Sequence, residues 1–312
     1  MANYVFGVDV GGTTVKLGLF DISGNVLDKW EIPTRTENGG EKILPDIAAS
    51  VQEKMAEKSI TKEDVTGVGI GAPGPVDSEG IIHKAVNLGW NEMNLKKELS
   101  ELLGGMYVEG GNDANVAALG EMWKGGGQGC KDLVAVTLGT GVGGGIIING
   151  KVVTGANGSG GEIGHIHIED HEEESCNCGN YGCLEEYTSA TGITRLANRK
   201  LKASDKDSVL RHGEVSAKSV FDAVKAGDEL AVEVAQQFGE YLGKGLAMIA
   251  GVVNPEVFVI GGGVSKAGEV LFDYIRPAFD RYVFHGCRNT KFVLATLGND
   301  AGIYGAAKLV LD

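Results

Sequence analysis

The chain lacks any apolar run near the roughly 18 residues at which a segment becomes a candidate membrane span. It also lacks a basic opening followed by an apolar stretch, because Asp9 interrupts the first apolar run; no secretory leader is expected. Positive charge is scarce: 28 Lys and Arg face 42 Asp and Glu, a net charge of −14. Such a balance argues against nucleic acid or an anionic membrane surface as the main partner. Low-complexity tracts are absent. Cysteine is sparse, five in all, and an odd number without a leader fits a reducing cytoplasm better than a disulfide framework.

Glycine is abundant instead: 50 of 312 residues, more than twice the usual ~7%. These glycines follow no Gly-x-x repeat and gather at the ends of β-type runs, where backbone can approach a ligand closely. An anionic ligand stays open if backbone N–H groups and a divalent cation hold it. The length allows two domains with ample core.

Tyr4 to Val10 reads as a strand, broken by Gly11-Gly12-Thr13-Thr14 and followed by a second run, Val15 to Phe20. A turn at Asp21 to Asn25 leads to a third run through Trp30. Ile43, Ile47, Val51 and Met55 give a helix from about Gly40 to Lys58, with Pro45 early in it. Val65 to Ile70 is a strand ending in the rigid turn Gly71 to Pro75. Leu95 to Leu103 reads as a short helix, Met106 to Glu109 as a strand, and Ala114 to Lys124 as a helix. Asp113, at the head of that helix, is an N-cap by default.

The opening pattern then returns: strand Leu133 to Leu138, loop Gly139-Thr140-Gly141, strand Gly144 to Ile148, turn Asn149-Gly150, strand Lys151 to Thr154. Two copies of one unit suggest two α/β domains of similar topology facing each other across a cleft. Helices follow at Thr191 to Leu201, Ser216 to Ala226 and Glu229 to Val252, the last stopped by Asn254-Pro255. Val257 to Ile260 delivers Gly261-Gly262-Gly263, and a last helix, about Asp300 to Leu311, should pack back onto the first domain. The expected division is residues 1–115 with 300–312 as a smaller domain, and 116–299 as a larger one.

Two segments fit G-x-G-x-x-G, yet Gly139/Gly141/Gly144 runs into a strand and Gly69/Gly71/Gly74 into Pro75. A dinucleotide fingerprint must open a helix, so neither qualifies. Gly145 to Lys151 imitates a P-loop, but Val152 stands where Ser or Thr belongs. Three glycine loops remain: Gly11–Thr14, Gly139–Gly141 and Gly261–Gly263, each at a strand end with little positive charge. Together they suit a nucleotide whose phosphates meet backbone N–H groups and threonine hydroxyls, with Mg²⁺ supplying charge.

The stretch from Ser159 to Tyr187 carries Cys176, Cys178 and Cys183 as C-x-C-x4-C, with His165, His167 and His171 upstream and Glu162 and Glu185 on either side. Thiolate and imidazole are the ligands tetrahedral zinc prefers. A closed Cys3His site would pin a loop with too few apolar residues to hold itself, so the metal is expected to be structural. The plain alternative to a metal site is three buried thiols beside a solvated acidic loop, EDHEEES.

The segments FGVDVGGTTVKLGLFD, GAPGPVD, GGNDANVAALGE, LGTGVGGGIIINGK, GGEIGH, CNCGNYGCLEEY, NPEVFVIGGGVS and DAGIYGAA resemble, in order and over nearly the whole chain, the ROK family of sugar kinases and transcriptional repressors. Within it the chain looks most like the bacterial ATP-dependent glucokinases. The resemblance implies an actin/hexokinase-like (ribonuclease H-like) fold, ATP with Mg²⁺, and phosphorylation of a hexose at its 6-hydroxyl. It places Gly11, Gly12, Thr13, Thr14 and Lys16 around the ATP phosphates, with Asp9 near the metal. Thr140 and Gly141 form a second phosphate clasp, and Gly262 and Gly263 approach the adenosine. Asn112, Asp113, Glu162, His165 and Glu185 would bind the sugar, with Asp113 as the base, while His165, Cys176, Cys178 and Cys183 would hold structural zinc. His167 is a rival ligand.

Other sugars within the family are N-acetylmannosamine, N-acetylglucosamine, fructose and allose. A sugar-responsive repressor would need a helix-turn-helix ahead of a first strand that begins by Tyr4. A cytoplasmic homo-oligomer, dimer or tetramer, is expected. Because the ATP loops lie far from the cysteines in sequence, they are expected not to depend on the metal.

Overall fold

A computed structural model describes residues 2–311. β1 (Tyr4–Val10), β2 (Thr14–Asp21) and β3 (Val26–Pro33) form an antiparallel meander. β3 alternates between half-buried and exposed positions, as an edge strand does, whereas Val5 to Val8 of β1 are all buried. β4 (Val65–Ala72) runs parallel to β1; then comes a small ladder of β5 (Ile81–Ile82) and β6 (Met93–Asn94), and β7 (Val108–Asn112) runs parallel to β4. The sheet order is β3-β2-β1-β4-β7.

The second sheet comprises β8 (Leu133–Leu138), β9 (Val142–Ile148), β10 (Lys151–Val152), β11 (Val257–Gly261) and β12 (Lys291–Leu294), in the order β10-β9-β8-β11-β12. Apart from the small ladder, both sheets place their strands third, second, first, fourth and fifth in chain order. The repeat legible in the glycine–threonine loops is therefore a repeat of topology.

The chain divides into two compact units. One comprises Met1–Lys131, Gly145–Gly161 and Leu297–Asp312; the other comprises Asp132–Gly144 and Glu162–Thr296. The first runs beyond residue 115 because helix Asp113–Lys124 lies along helix Ala301–Leu309. A β-carbon at Gly120 would meet the Ala301 carbonyl, and one at Gly305 the Val116 carbonyl. This close approach needs glycine on both helices.

In the first unit, helix Ile43–Glu57 buries Ile43, Ile47, Val51 and Met55 against Phe6, Val8 and Leu17. It begins at Ile43 because Asn38, Gly39 and Gly40 take positive φ. On the other side of the sheet, Val5 and Phe20 pack with Ile303 and Ala307 of helix Ala301–Leu309. In the second unit, helix Glu229–Val253 uses Gly239 and Gly243 to back onto helix Val270–Tyr282. Asn254, at φ 46°, ends the long helix before Pro255.

Candidate active site

In the first unit β1 delivers Asp9, paired across the strands with Lys16 of β2. Between them the chain turns tightly, with the Gly11 N–H donating to the Thr14 carbonyl at 3.1 Å. Thr34, just after β3, braces this turn: its hydroxyl donates to the Gly11 carbonyl at 2.7 Å, and its N–H to the Thr13 carbonyl at 2.9 Å. Gly12 and Thr13 are exposed, and nothing lies within 4 Å of a β-carbon built on Gly12. A turn held from one side and open at its tip is what a phosphate requires. Thr34 had no signal in the sequence, since it lies in a different strand's exit. Lys16 donates to the Asn299 carbonyl at 3.0 Å.

β7 ends at Asn112, and helix Asp113–Lys124 starts there. Asn112 caps it: its side-chain oxygen accepts the N–H of Ala114 at 3.0 Å and of Asn115 at 3.1 Å. Its amide donates to the Gly74 carbonyl at 3.1 Å, which ties the rigid Gly71–Pro75 turn to the same point. The default capping role at this helix start thus falls to Asn112 rather than Asp113. Asp113 is the first helical residue, where the positive helix end favours its charged form, and it accepts the Ala114 N–H at 2.8 Å.

Asp9 is brought close to Asp113 within this unit. Burial first, then the Asp113 charge, push the Asp9 carboxyl up to about 6, with Lys16 opposing them. The start of helix Ala301–Leu309 presses on it, for a β-carbon at Gly302 would meet the Asp9 carboxylate. Two carboxylates with one nearby lysine form a site that a divalent cation would relieve.

In the second unit the turn Gly139-Thr140-Gly141 leaves β8, with the Gly139 N–H donating to the Gly141 carbonyl at 2.9 Å. Glu185 reaches this turn: its Oε2 accepts the Val142 N–H at 2.7 Å, and its Oε1 lies 3.8 Å from Cys176 Sγ. Ala190 N–H donates to the Gly139 carbonyl at 2.8 Å, and the Thr191 hydroxyl to the Thr140 carbonyl at 3.0 Å. Distance along the chain, the premise of this loop's expected independence from the metal, therefore does not hold in space. Residues distant in sequence are in contact.

His165, Cys176, Cys178 and Cys183 bring one ligand atom each to within 4.8 Å of one another. Cys178 and Cys183 sulfurs are 3.7 Å apart, against about 3.75 Å for two tetrahedral sulfurs at the Zn–S distance. His165 offers Nδ1, 3.8 Å from Cys176 Sγ. Burial and the neighbouring thiols push Cys183 up to about 12, and burial also raises Cys176. Thiolates crowded this way lack a counter-charge, which a divalent ion supplies. The donor set fits zinc. His167 lies outside the cluster: its Nδ1 meets the Tyr181 carbonyl and its Nε2 the Asp170 carboxylate, both at 2.9 Å. Glu162 is exposed and precedes the short turn Ile163–His165.

The acidic run is not simply solvated. The Glu172 side chain is only 3% exposed, accepting from Arg199 at 2.9 and 3.0 Å, from Arg195 at 3.2 Å, and from the Tyr187 hydroxyl at 2.6 Å. The Arg199 guanidinium above all holds its carboxyl down to about 2. Tyr187 in turn stacks on Tyr241, ring centres 4.1 Å apart. So the loop has a second fastening besides the cysteines.

Gly262, at φ 83°, and Gly263 follow β11 and are exposed. Gly263 borders a cavity of about 150 Å³ with Phe221, Val264 and Ala267, lined also by Lys225, Lys266 and the Lys218–Asp222 ion pair. An apolar slot beside cations suits a purine base and its phosphates. Phe221, Lys218 and Lys225 lie on helix Ala217–Lys225, away from the glycine loop in sequence, and carried no motif.

The ROK family model matches residues 5–312. Over 311 residues the chain is 46% identical to the glucokinase of Halalkalibacterium halodurans, covering 97% of this chain and 94% of that one. It is 38% identical to the glucokinase of Thermotoga maritima, covering 99% and 97%. The crystal structure of a ROK family glucokinase from Streptomyces griseus in complex with glucose and AMPPNP superposes with a TM-score of 0.75, at 35% identity and 98% coverage of both chains. The duplicated sheets are thus two actin/hexokinase-like domains, and this chain belongs to the ROK family.

Proposed function

We propose that this protein is an ATP-dependent hexose kinase that transfers the γ-phosphoryl group to the 6-hydroxyl of glucose, giving glucose 6-phosphate and ADP. The carrying observation is Asp113 at the head of its helix, beside the Asn112 cap, where the positive helix end favours its carboxylate form. Phosphoryl transfer to an alcohol needs positioning, charge neutralisation and a carboxylate to take the hydroxyl proton. Asp113 accepts that proton. Asn112, with one amide hydrogen left over, binds sugar hydroxyls together with Glu162, His165 and Glu185. Gly11, Gly12, Thr13, Thr14 and Lys16 hold phosphates, as do Thr140 and Gly141; Gly262 and Gly263 admit the adenosine.

Mg²⁺ arriving with ATP would neutralise phosphate charge, and Asp9 would help to hold it. Zinc on His165, Cys176, Cys178 and Cys183 would cross-link the loop that carries the sugar ligands. The same proposal takes the protein as a cytoplasmic homo-oligomer, dimer or tetramer, without a nucleic-acid partner. Its acidic charge speaks against a nucleic-acid partner, and no helix among the described residues is long and apolar enough to cross a membrane.

A panel of sugars in a coupled ADP-release assay tests the proposal. Glucose should give the highest kcat/KM. A higher value for an N-acetylhexosamine, fructose or allose would move the assignment to that sugar, and ADP release with none would end the kinase reading.

A further inference from the structure

We infer that Glu185 is a positioning residue whose carboxylate fastens the Gly139–Val142 turn to the cysteine–histidine cluster. On this inference nucleotide affinity depends on that link even when no sugar is bound. It rests on the proposed kinase reading and extends it, since Glu185 then serves the nucleotide as well as the sugar.

The geometry is a chain of contacts within one compact unit. Glu185 Oε2 accepts the Val142 N–H at 2.7 Å. The peptide group is planar, so fixing that N–H also fixes the direction of the Gly141 carbonyl, which accepts the Gly139 N–H at 2.9 Å. The contact is too close for any side chain at Gly141, whose β-carbon would run into the Glu185 carboxylate. The other oxygen of Glu185 is 3.8 Å from Cys176 Sγ. Two further tethers on the turn come from the same stretch of chain, Ala190 to the Gly139 carbonyl at 2.8 Å and Thr191 to the Thr140 carbonyl at 3.0 Å. That stretch leaves the cluster at Cys183, so the turn is held by the segment the cluster anchors.

Calorimetric titration of the intact protein with Mg·ADP, without sugar, reads the link directly. Glu185→Ala should weaken ADP binding about tenfold, the worth of one hydrogen bond to a charged group. Glu185→Gln keeps an oxygen for Val142 and should stay within about threefold, while its sugar affinity falls. Gly141→Ala should weaken ADP binding about tenfold in the wild type and much less in the Glu185→Ala background, the signature of coupled neighbours. Metal content and circular dichroism accompany each variant. If Glu185→Ala loses its metal or fold, Gly141→Ala with an intact cluster decides, and unchanged ADP affinity there overturns the inference. Equal effects of Gly141→Ala in both backgrounds also overturn it. Flat ADP affinities in an enzyme that phosphorylates glucose would sink this inference alone, whereas a wild type that binds no ADP would sink the kinase reading with it.

Discussion

Asp9 feels the charge of Asp113: burial and that neighbour together lift the Asp9 carboxyl from its ordinary range to about 6. A raised carboxylate is a cost to the folded state. Between about pH 4 and 6 the folded chain holds a proton that the unfolded chain has lost, so stability declines as pH rises through that window.

Asp9→Asn removes this cost. At pH 7 it should stabilise the nucleotide-free protein by about 1–2 kcal/mol, less than the full shift because Asp9 is partly exposed. The advantage should vanish below about pH 4, where both forms of the wild type are protonated. Thermal melts across pH check it; a gain that does not change with pH would mean that repacking, not charge, is responsible. Activity should fall in the same variant, a trade of function against stability.

Glu172 has the opposite sign. Its carboxyl is held down to about 2, chiefly by Arg199, so it contributes stability that is fully present above about 4.5 and is lost as pH falls towards 2. Glu172→Gln leaves Arg195 and Arg199 without a charged partner there and should cost about 1–2 kcal/mol at neutral pH, discounted because Arg199 is partly in water. The difference from wild type should shrink steadily below pH ~4. A pH-independent difference would assign the effect to packing around Tyr187.

Metal analysis of the purified protein should find about one zinc per chain. Cys178→Ala should lose most of it and make residues 172–183 the first to exchange amide hydrogens. Because Glu185 reaches both the cluster and the Val142 N–H, stripping the metal should raise KM for sugar and ATP together. A rise confined to the sugar would restore the independence expected from sequence distance.

Local signals made much of this legible. The glycine–threonine loops lie at strand ends, the apolar spacing of Ile43, Ile47 and Val51 marks a helix, and three cysteines fall within one short stretch. What stayed hidden depends on contacts between distant residues. Glu185 and Val142 are 43 positions apart, and Glu172 and Arg199 are 27 apart. Neither pair has a spacing that could announce it. Asn112 and Asp113 both favour capping, and only backbone angles decide between them: Asn112 is extended, at φ −62° and ψ 141°. Helix Val270–Tyr282 carries Pro277 inside it, and β12 has four residues, so neither offers a strong pattern.

The most direct test of the account is Asp113→Asn, which keeps the shape of the side chain and removes its basicity. Calorimetry should show glucose binding within a few-fold of wild type, while kcat for ADP release falls at least ~100-fold. Turnover near the wild-type rate in a variant that still binds glucose would contradict the assignment of Asp113 as the base.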